Sequence, residues 1–193
     1  ALIQQSEEAI LAHFVGHIRD LRPDTVLTFG PDGIYGHPDH IFVGRLASRA
    51  VELAADPAYL PRLHAPWRVT ALYHGATPRR IMLAMADAPD QPLGEISEQS
   101  RQNLGTPEEL ITHWLDITPW LPIKRQAIAA HRTQTAGRED NESPEETAAL
   151  GSNQGLEYYV RRPLPWDPDM TADDTLTRAQ AELGVSRPEH MKR

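Results

Sequence analysis

The stretch Pro31-Asp-Gly-Ile-Tyr-Gly-His-Pro-Asp-His40 constrains this chain more than any other. An apolar run, Thr25-Val-Leu-Thr-Phe29, precedes it, and a helical pattern from Ile41 to Val51 follows it. Strand, glycine-rich turn and helix, in that order, is how an open α/β sheet builds a site at the carboxyl ends of its strands. Gly30, Gly33 and Gly36 let the chain turn sharply and pass close to a bound group. Pro38 suits a first helical turn, where a missing N–H costs nothing. His37 and His40 are three residues apart, so a helix starting near Pro38 sets one roughly over the other at its positive end.

The flanking sequence extends the α/β pattern. Residues Ala1 to Leu21 read as a helix, with Ile3, Ile10, Phe14, Ile18 and Leu21 near helical spacing, and Arg22-Pro23 ends it. A domain that opens on a crossover helix implies an earlier strand, so the expectation is the later part of a longer protein. A helix over 38–55 follows the glycine turn, then a proline-bearing loop from Asp56 to Pro66. Arg68–His74 and Arg80–Ala84 read as strands, and Asp87–Gly94 as a loop. Thr106-Pro-Glu-Glu109 has the form of a capping box opening a short helix. Residues Ile111–Ile117 alternate like a strand, with a continuing helix as the rival reading. Thr118-Pro119 starts a helix that ends near Thr135–Gly137, and Ser143-Pro-Glu-Glu146 is a second capping box. Leu156–Val160 is the closing strand. Residues 1–162 thus form one domain, and 163–193 an acidic, proline-rich tail with one helix, Ala172–Leu183.

Composition excludes several partners. The 193 residues carry a formal net charge of −8, and the basic residues cluster only in pairs such as Arg79-Arg80. A nucleic-acid backbone wants a basic face, so none is expected as a ligand. The absence of cysteine removes disulfides, thiolate zinc sites and cysteine nucleophiles. No apolar run approaches the roughly 20 residues that span a bilayer. No signal peptide is visible, and the expected compartment is the cytoplasm. A homo-oligomer is compatible with all of this.

Taken on its own terms, His37-Pro-Asp-His40 offers two imidazoles and a carboxylate. Neutral imidazole is a common zinc ligand and carries protons near pH 7. Asp39 is the local carboxylate able to orient a ring. The plainer alternative has His37 capping the helix, Asp39 complementing its dipole and His40 partly buried. Zinc at a catalytic site takes three protein ligands, and this run supplies one or two. His74, at the end of another strand, is a possible third or simply a solvated side chain.

Tyr35-Gly-His-Pro-Asp-His40 after Thr28-Phe-Gly-Pro-Asp-Gly33 closely resembles the second motif of the PIG-L/LmbE-like deacetylases. These are zinc enzymes that remove the acetyl group from N-acetylglucosamine derivatives. Asp116-Ile-Thr118, Lys124 and Ala130-His-Arg-Thr-Gln134 resemble a later segment of the same family. The resemblance covers roughly residues 10 to 160. It implies a Rossmann-like α/β fold, an open and mainly parallel sheet with flanking helices. It implies His40 as a zinc ligand and His37 as the histidine beside the scissile amide, serving as general acid or electrostatic stabiliser. It implies Asp39 as the carboxylate that orients His37, and Tyr35 as a mobile hydrogen-bond donor to the oxyanion. The implied reaction is amide hydrolysis by metal-bound water on a small amino-sugar conjugate, with Zn2+ or another divalent metal such as Fe2+.

One departure bears on all of this. The family's first motif, a histidine-proline-aspartate-aspartate run, supplies two further ligands and the general base, and it has no counterpart in the 193 residues. The sequence therefore reads as carrying the second half of the site, with one or more N-terminal strands and their segment missing. Lys124, His131 and Gln134 share a helix face and read as a structural helix end; Asp116 reads as a partner for nearby backbone or lysine. The tryptophans are scattered and read as packing residues. Asp32 reads as an Asx residue of the turn. The competing function is a noncatalytic relative that binds a glycoside or nucleotide-sugar at the same turn. The glycine spacing does not match a dinucleotide fingerprint, and no G-x-S-x-G is present for a serine hydrolase.

Overall fold

The computed structural model describes residues 2–88, 97–135, 155–183 and 188 of the chain. After a single 3-10 turn, helix α1 spans Glu7–Leu21. Ser6 caps it, its hydroxyl accepting from the Ala9 N–H, and Glu7 and Glu8 sit against the positive end of its dipole. Arg22 ends it in the left-handed region at φ 50°. Strand β1 (Thr25–Phe29) leads through the glycine turn into α2 (Pro38–Ala55), and β2 (Ala71–Ala76) runs parallel to β1 with Thr25 opposite Ala71. β1 and α2 have the bounds read from the sequence, whereas α1 starts at Glu7 instead of Ala1 and β2 runs over Ala71–Ala76 instead of Arg68–His74.

The sheet has the order β1-β2-β4-β3, where β3 is His113–Asp116 and β4 is Leu156–Arg162. The open α/β sheet is present as expected, but its pairing is mixed. Among the described strands only β1 and β2 pair in parallel; β4 is antiparallel to both β2 and β3. The sequence holds the reason: β4 alternates Glu157, Tyr159 and Arg161 with Tyr158 and Val160. That is the pattern of an antiparallel strand, not the continuous apolar run of a buried parallel one.

One face of β1 and β2 is covered by α1 and α2. Val15 and Ile18 meet Ala50, Val51 and Ala54 over Val69 and Leu72, and Leu164 completes the cluster. On the other face Ala71 and Tyr73 pack against Leu176 of a last helix, Thr175–Leu183. The segment after Pro163 therefore lies against the sheet: Leu164 is 3% exposed, and the Trp166 indole donates to the Val69 carbonyl at 2.9 Å. No helix among the described residues is long and apolar enough to cross a membrane.

Three local expectations are corrected. Arg80–Ala84 is not a strand; α3 spans Arg79–Ala86 and buries Met82. Its run of Leu, Met and Ala is strongly helix-forming, and Pro78 accepts the first turn's N–H groups from Ile81 and Met82. Thr106–Glu109 forms no capping box. Its threonine hydroxyl donates to Asp32 instead, Pro107 stands at the N-cap with no side-chain bond, and one 3-10 turn, Glu108–Leu110, follows. The helix from Thr118 is broken into a 3-10 turn, helix α4 (Leu121–Ala129) and a separate turn, Arg132–Thr135. The Ser143 capping box and most of the Asp87–Gly94 loop lie outside the described residues.

Candidate active site

The turn between β1 and α2 puts its glycines to use. Gly33 and Gly36 have φ of 58° and 85°, in the left-handed region that side chains resist. A Cβ at Gly33 would also stand 2.7 Å from the Ile41 side chain. Between them Ile34 is held at φ 70°, ψ −58°, the strained three-residue turn that a β-branched residue rarely enters. Asp32 makes the expected Asx bond, Oδ1 accepting from the Ile34 N–H at 3.1 Å.

His37 caps α2, and the cap fixes its tautomer. Its Nδ1 accepts from the Asp39 N–H at 3.2 Å, so in the neutral ring Nε2 carries the proton. The Asp39 carboxylate is not on this ring. Oδ1 accepts from the Ile3 N–H at 3.2 Å, and Asp39 reaches His37 through its backbone alone. His40 has the opposite tautomer. Its Nδ1 lies 3.2 Å from the Gly33 carbonyl, which can only accept, so Nδ1 bears the proton and Nε2 the lone pair. The His40 ring stacks on Phe29 at 4.1 Å between centroids and 4° between planes.

The two histidine rings are 4.7 Å apart. Tyr35 stands edge-on to both, at 5.8 Å from His37 and 5.4 Å from His40, and is 44% exposed. The turn thus gathers one ring with a free lone pair, one with a proton to donate, and a phenol with room to move.

A bound metal finds only part of a site here. A carbonyl on Nδ1 with Nε2 free is the arrangement of a histidine ligand and its orienting partner. Yet among the described residues no three His, Asp or Glu side chains converge, and a catalytic zinc takes three protein ligands. These residues alone do not complete a metal site. His74 does not fill the gap. The Ser48 hydroxyl donates to the Gly44 carbonyl at 2.7 Å, so its oxygen accepts from His74 Nε2–H at 2.9 Å. Burial, with Arg162 nearby, pushes the His74 ring down to about 4.

The remaining candidates hold structure together. Lys124 pairs with Glu157 at 2.8 Å, and Asp116 Oδ1 accepts from the Thr118 N–H at 2.9 Å. Trp67, Trp114 and Trp166 border the core clusters, while Trp120 is exposed. The side chain of Gln134 lies outside the described residues. Sequence reasoning missed Thr106, whose hydroxyl donates to Asp32 Oδ2 at 2.9 Å across 74 residues of chain. No local pattern signals such a bond.

The fold and the turn define a class: an open α/β protein whose histidine-bearing site lies at the carboxyl end of a parallel strand. Comparison with known proteins narrows it. Residues 2–51 match the PIG-L family model, described as GlcNAc-PI de-N-acetylase. The chain is 40% identical over 129 residues to the 1D-myo-inositol 2-acetamido-2-deoxy-alpha-D-glucopyranoside deacetylase 1 of Catenulispora acidiphila, a match spanning 64% of this chain and 40% of that protein. It is 36% identical over 165 residues to the deacetylase of the same substrate name from Rhodococcus opacus, covering 85% of this chain and 53% of the relative. Both findings bear out the resemblance to the PIG-L/LmbE-like deacetylases. It spans about half the length of the curated relatives it matches.

Proposed function

We propose that this chain carries the later half of the active site of a metal-dependent hydrolase that removes the N-acetyl group from a glucosamine conjugate. The observation that carries the reading is the opposed tautomers of His37 and His40 on one turn. The relatives are named as deacetylases of an N-acetylglucosaminyl inositol, which supplies the substrate class. In this reading His40 Nε2 is one metal donor. His37 Nε2–H faces the scissile amide, and the proton it holds stabilises the oxyanion or passes to the departing amine. Tyr35, exposed and edge-on to both rings, supplies a second hydrogen bond to that oxygen. The other metal donors and the base come from a preceding segment carrying a histidine-proline-aspartate-aspartate run; the half-length coverage of the relatives supports this.

The test compares this chain with one extended upstream in its own coding sequence. Elemental analysis reads metal, and release of free amine from an N-acetylglucosamine conjugate reads turnover. The extended form is expected to hold about one zinc per chain and to release amine, as a three-ligand catalytic site requires. An extended form that binds the conjugate without releasing amine supports the noncatalytic alternative and overturns the hydrolase.

A further inference from the structure

We propose that Asp32 and Thr106 are positioning residues, a two-ended hydrogen-bond clamp that sets the orientation and tautomer of His40; the catalytic meaning of that setting rests on the deacetylase reading. The argument turns on one peptide unit, Gly33–Ile34. Its N–H donates to Asp32 Oδ1 at 3.1 Å, and its C=O accepts from His40 Nδ1–H at 3.2 Å. Rotating that unit therefore moves both bonds together, because a peptide is planar. The unit has reason to rotate, since Ile34 is held at a positive φ that its side chain disfavours.

Asp32 opposes the rotation from two sides. Its backbone carbonyl accepts from the Gly36 N–H at 2.8 Å, closing the turn locally. Its second carboxylate oxygen accepts from the Thr106 hydroxyl at 2.9 Å. Thr106 is itself fixed. It is 9% exposed, its N–H donates to the Thr77 carbonyl at 2.8 Å, and its carbonyl accepts from the Arg79 N–H at 2.8 Å. The site turn after β1 is thus moored to the junction of β2 and α3. A local Asx turn needs only one carboxylate oxygen, so the second bond is not required for turn formation. What it adds is a fixed reference, outside the turn, for the carbonyl that holds His40.

The clamp works through hydrogen-bond geometry, not through charge, and this makes it separable from a generic stabilising role. In Asp32→Asn the amide oxygen still accepts from Ile34 and the amide nitrogen donates to the Thr106 oxygen, so the clamp survives. Asp32→Ala removes both ends. Thr106→Val removes only the mooring in nearly the same volume, and Thr106→Ser returns the hydroxyl.

The experiment is 15N NMR of the histidine rings in the whole chain, with amide hydrogen exchange of Ile34. The parent is expected to show His40 as the Nδ1–H tautomer. Asp32→Ala and Thr106→Val are expected to mix the two tautomers and to speed exchange at Ile34 by about tenfold or more, since one local opening is made easier. Asp32→Asn and Thr106→Ser are expected to resemble the parent. Thr106→Val keeps the test decisive if Asp32→Ala fails to fold. An unchanged His40 signature in Thr106→Val, or mixing as complete in Asp32→Asn as in Thr106→Val, overturns the proposal. In the upstream-extended form, Thr106→Val is expected to lower kcat roughly tenfold with KM little changed, as for a misplaced reacting group. If the extended parent releases no amine, the deacetylase reading fails, while the ring signatures still decide the clamp.

Discussion

His40 is held by three different forces at once: a hydrogen bond from Nδ1, a stacked ring beneath it, and the helix that carries it. Among the described residues Nε2 has no hydrogen-bond partner. On the deacetylase reading, His40→Ala in the upstream-extended form is therefore expected to lose the bound metal, and metal retained in that variant would remove His40 from the ligand set. His37→Ala is expected to keep the metal and lose most turnover, on the order of 100-fold for a proton donor; full activity would take His37 out of the reaction. The stacking partner has its own constraint. Gly44 of α2 lies so close to β1 that a Cβ there would stand 2.3 Å from the Phe29 carbonyl oxygen, which is backbone and cannot turn aside. Gly44→Ala is expected to cost about 1–3 kcal/mol by forcing α2 off the strand. It should also disturb the Phe29–His40 stack, and an unfolding midpoint unchanged in urea would show that the helix yields freely.

At the scale of elements, helical periodicity placed α1 and α2, because each buries a face whose spacing the sequence displays, and short β-forming runs between turns placed β1 and β4. It misread Arg80–Ala84, where a short apolar run is consistent with strand or helix and only the neighbours decide. It also left the loop from Asp56 to Pro66 without a reason to be ordered. That reason is Arg19, on the buried side of α1 and 1% exposed. Its guanidinium donates to six carbonyls: Leu53, Ala54 and Asp56 at the end of α2, and Tyr59, Leu60 and Leu63 in the loop. Among the described residues no carboxylate takes part. A cation at a helix C-terminus is favoured by the dipole, and the planar fork of donors suits several carbonyls at once. Within α1 alone Arg19 is one more polar residue, so its role is legible only once the loop is seen wrapped around it. Arg19→Met keeps the length and removes every donor. It is expected to cost about 3 kcal/mol or more, because buried carbonyls are left without partners. Denaturant unfolding measures the loss, and limited proteolysis within residues 57–64 should accelerate with it. A variant as stable as the parent would mean that water replaces the guanidinium.

Across the whole molecule, the residues that join distant segments are polar and buried, and they give it a direction of weakness. Arg161 on β4 pairs with Asp174 at 2.9 Å and Asp167 at 3.1 Å, and Tyr73 on β2 donates to the same Asp174. This network fastens the last helix to the sheet, joining residues about a hundred apart, which is why the sequence alone reads residues 163–193 as a tail. Burial pushes the Asp174 carboxyl up, but bonds from the Thr177 hydroxyl and N–H, from Tyr73 and from the Leu176 N–H outweigh it and hold it below the usual range. Burial lowers both His113, beside this network, and His74, which drops to about 4. Each group has a depressed folded-state pKa, so in each case the unfolded chain takes the proton first. The histidine contributions are complete above about pH 6.5, the ordinary imidazole value, and are lost as pH falls through the depressed values. The Asp174 contribution is complete above about pH 4 and is lost only below it. The melting temperature is therefore expected to decline from neutrality toward pH 4.5, driven by the two histidines. His74→Gln keeps a donor for the Ser48 oxygen and removes the titration. Its unfolding free energy should fall less with pH than the parent's, by about 1–2 kcal/mol at pH 4.5 after allowing for solvent screening of a partly exposed ring, and its melting temperature should decline less accordingly. Parallel pH profiles for the two proteins would assign the acid sensitivity to His113 and leave His74 a packing residue.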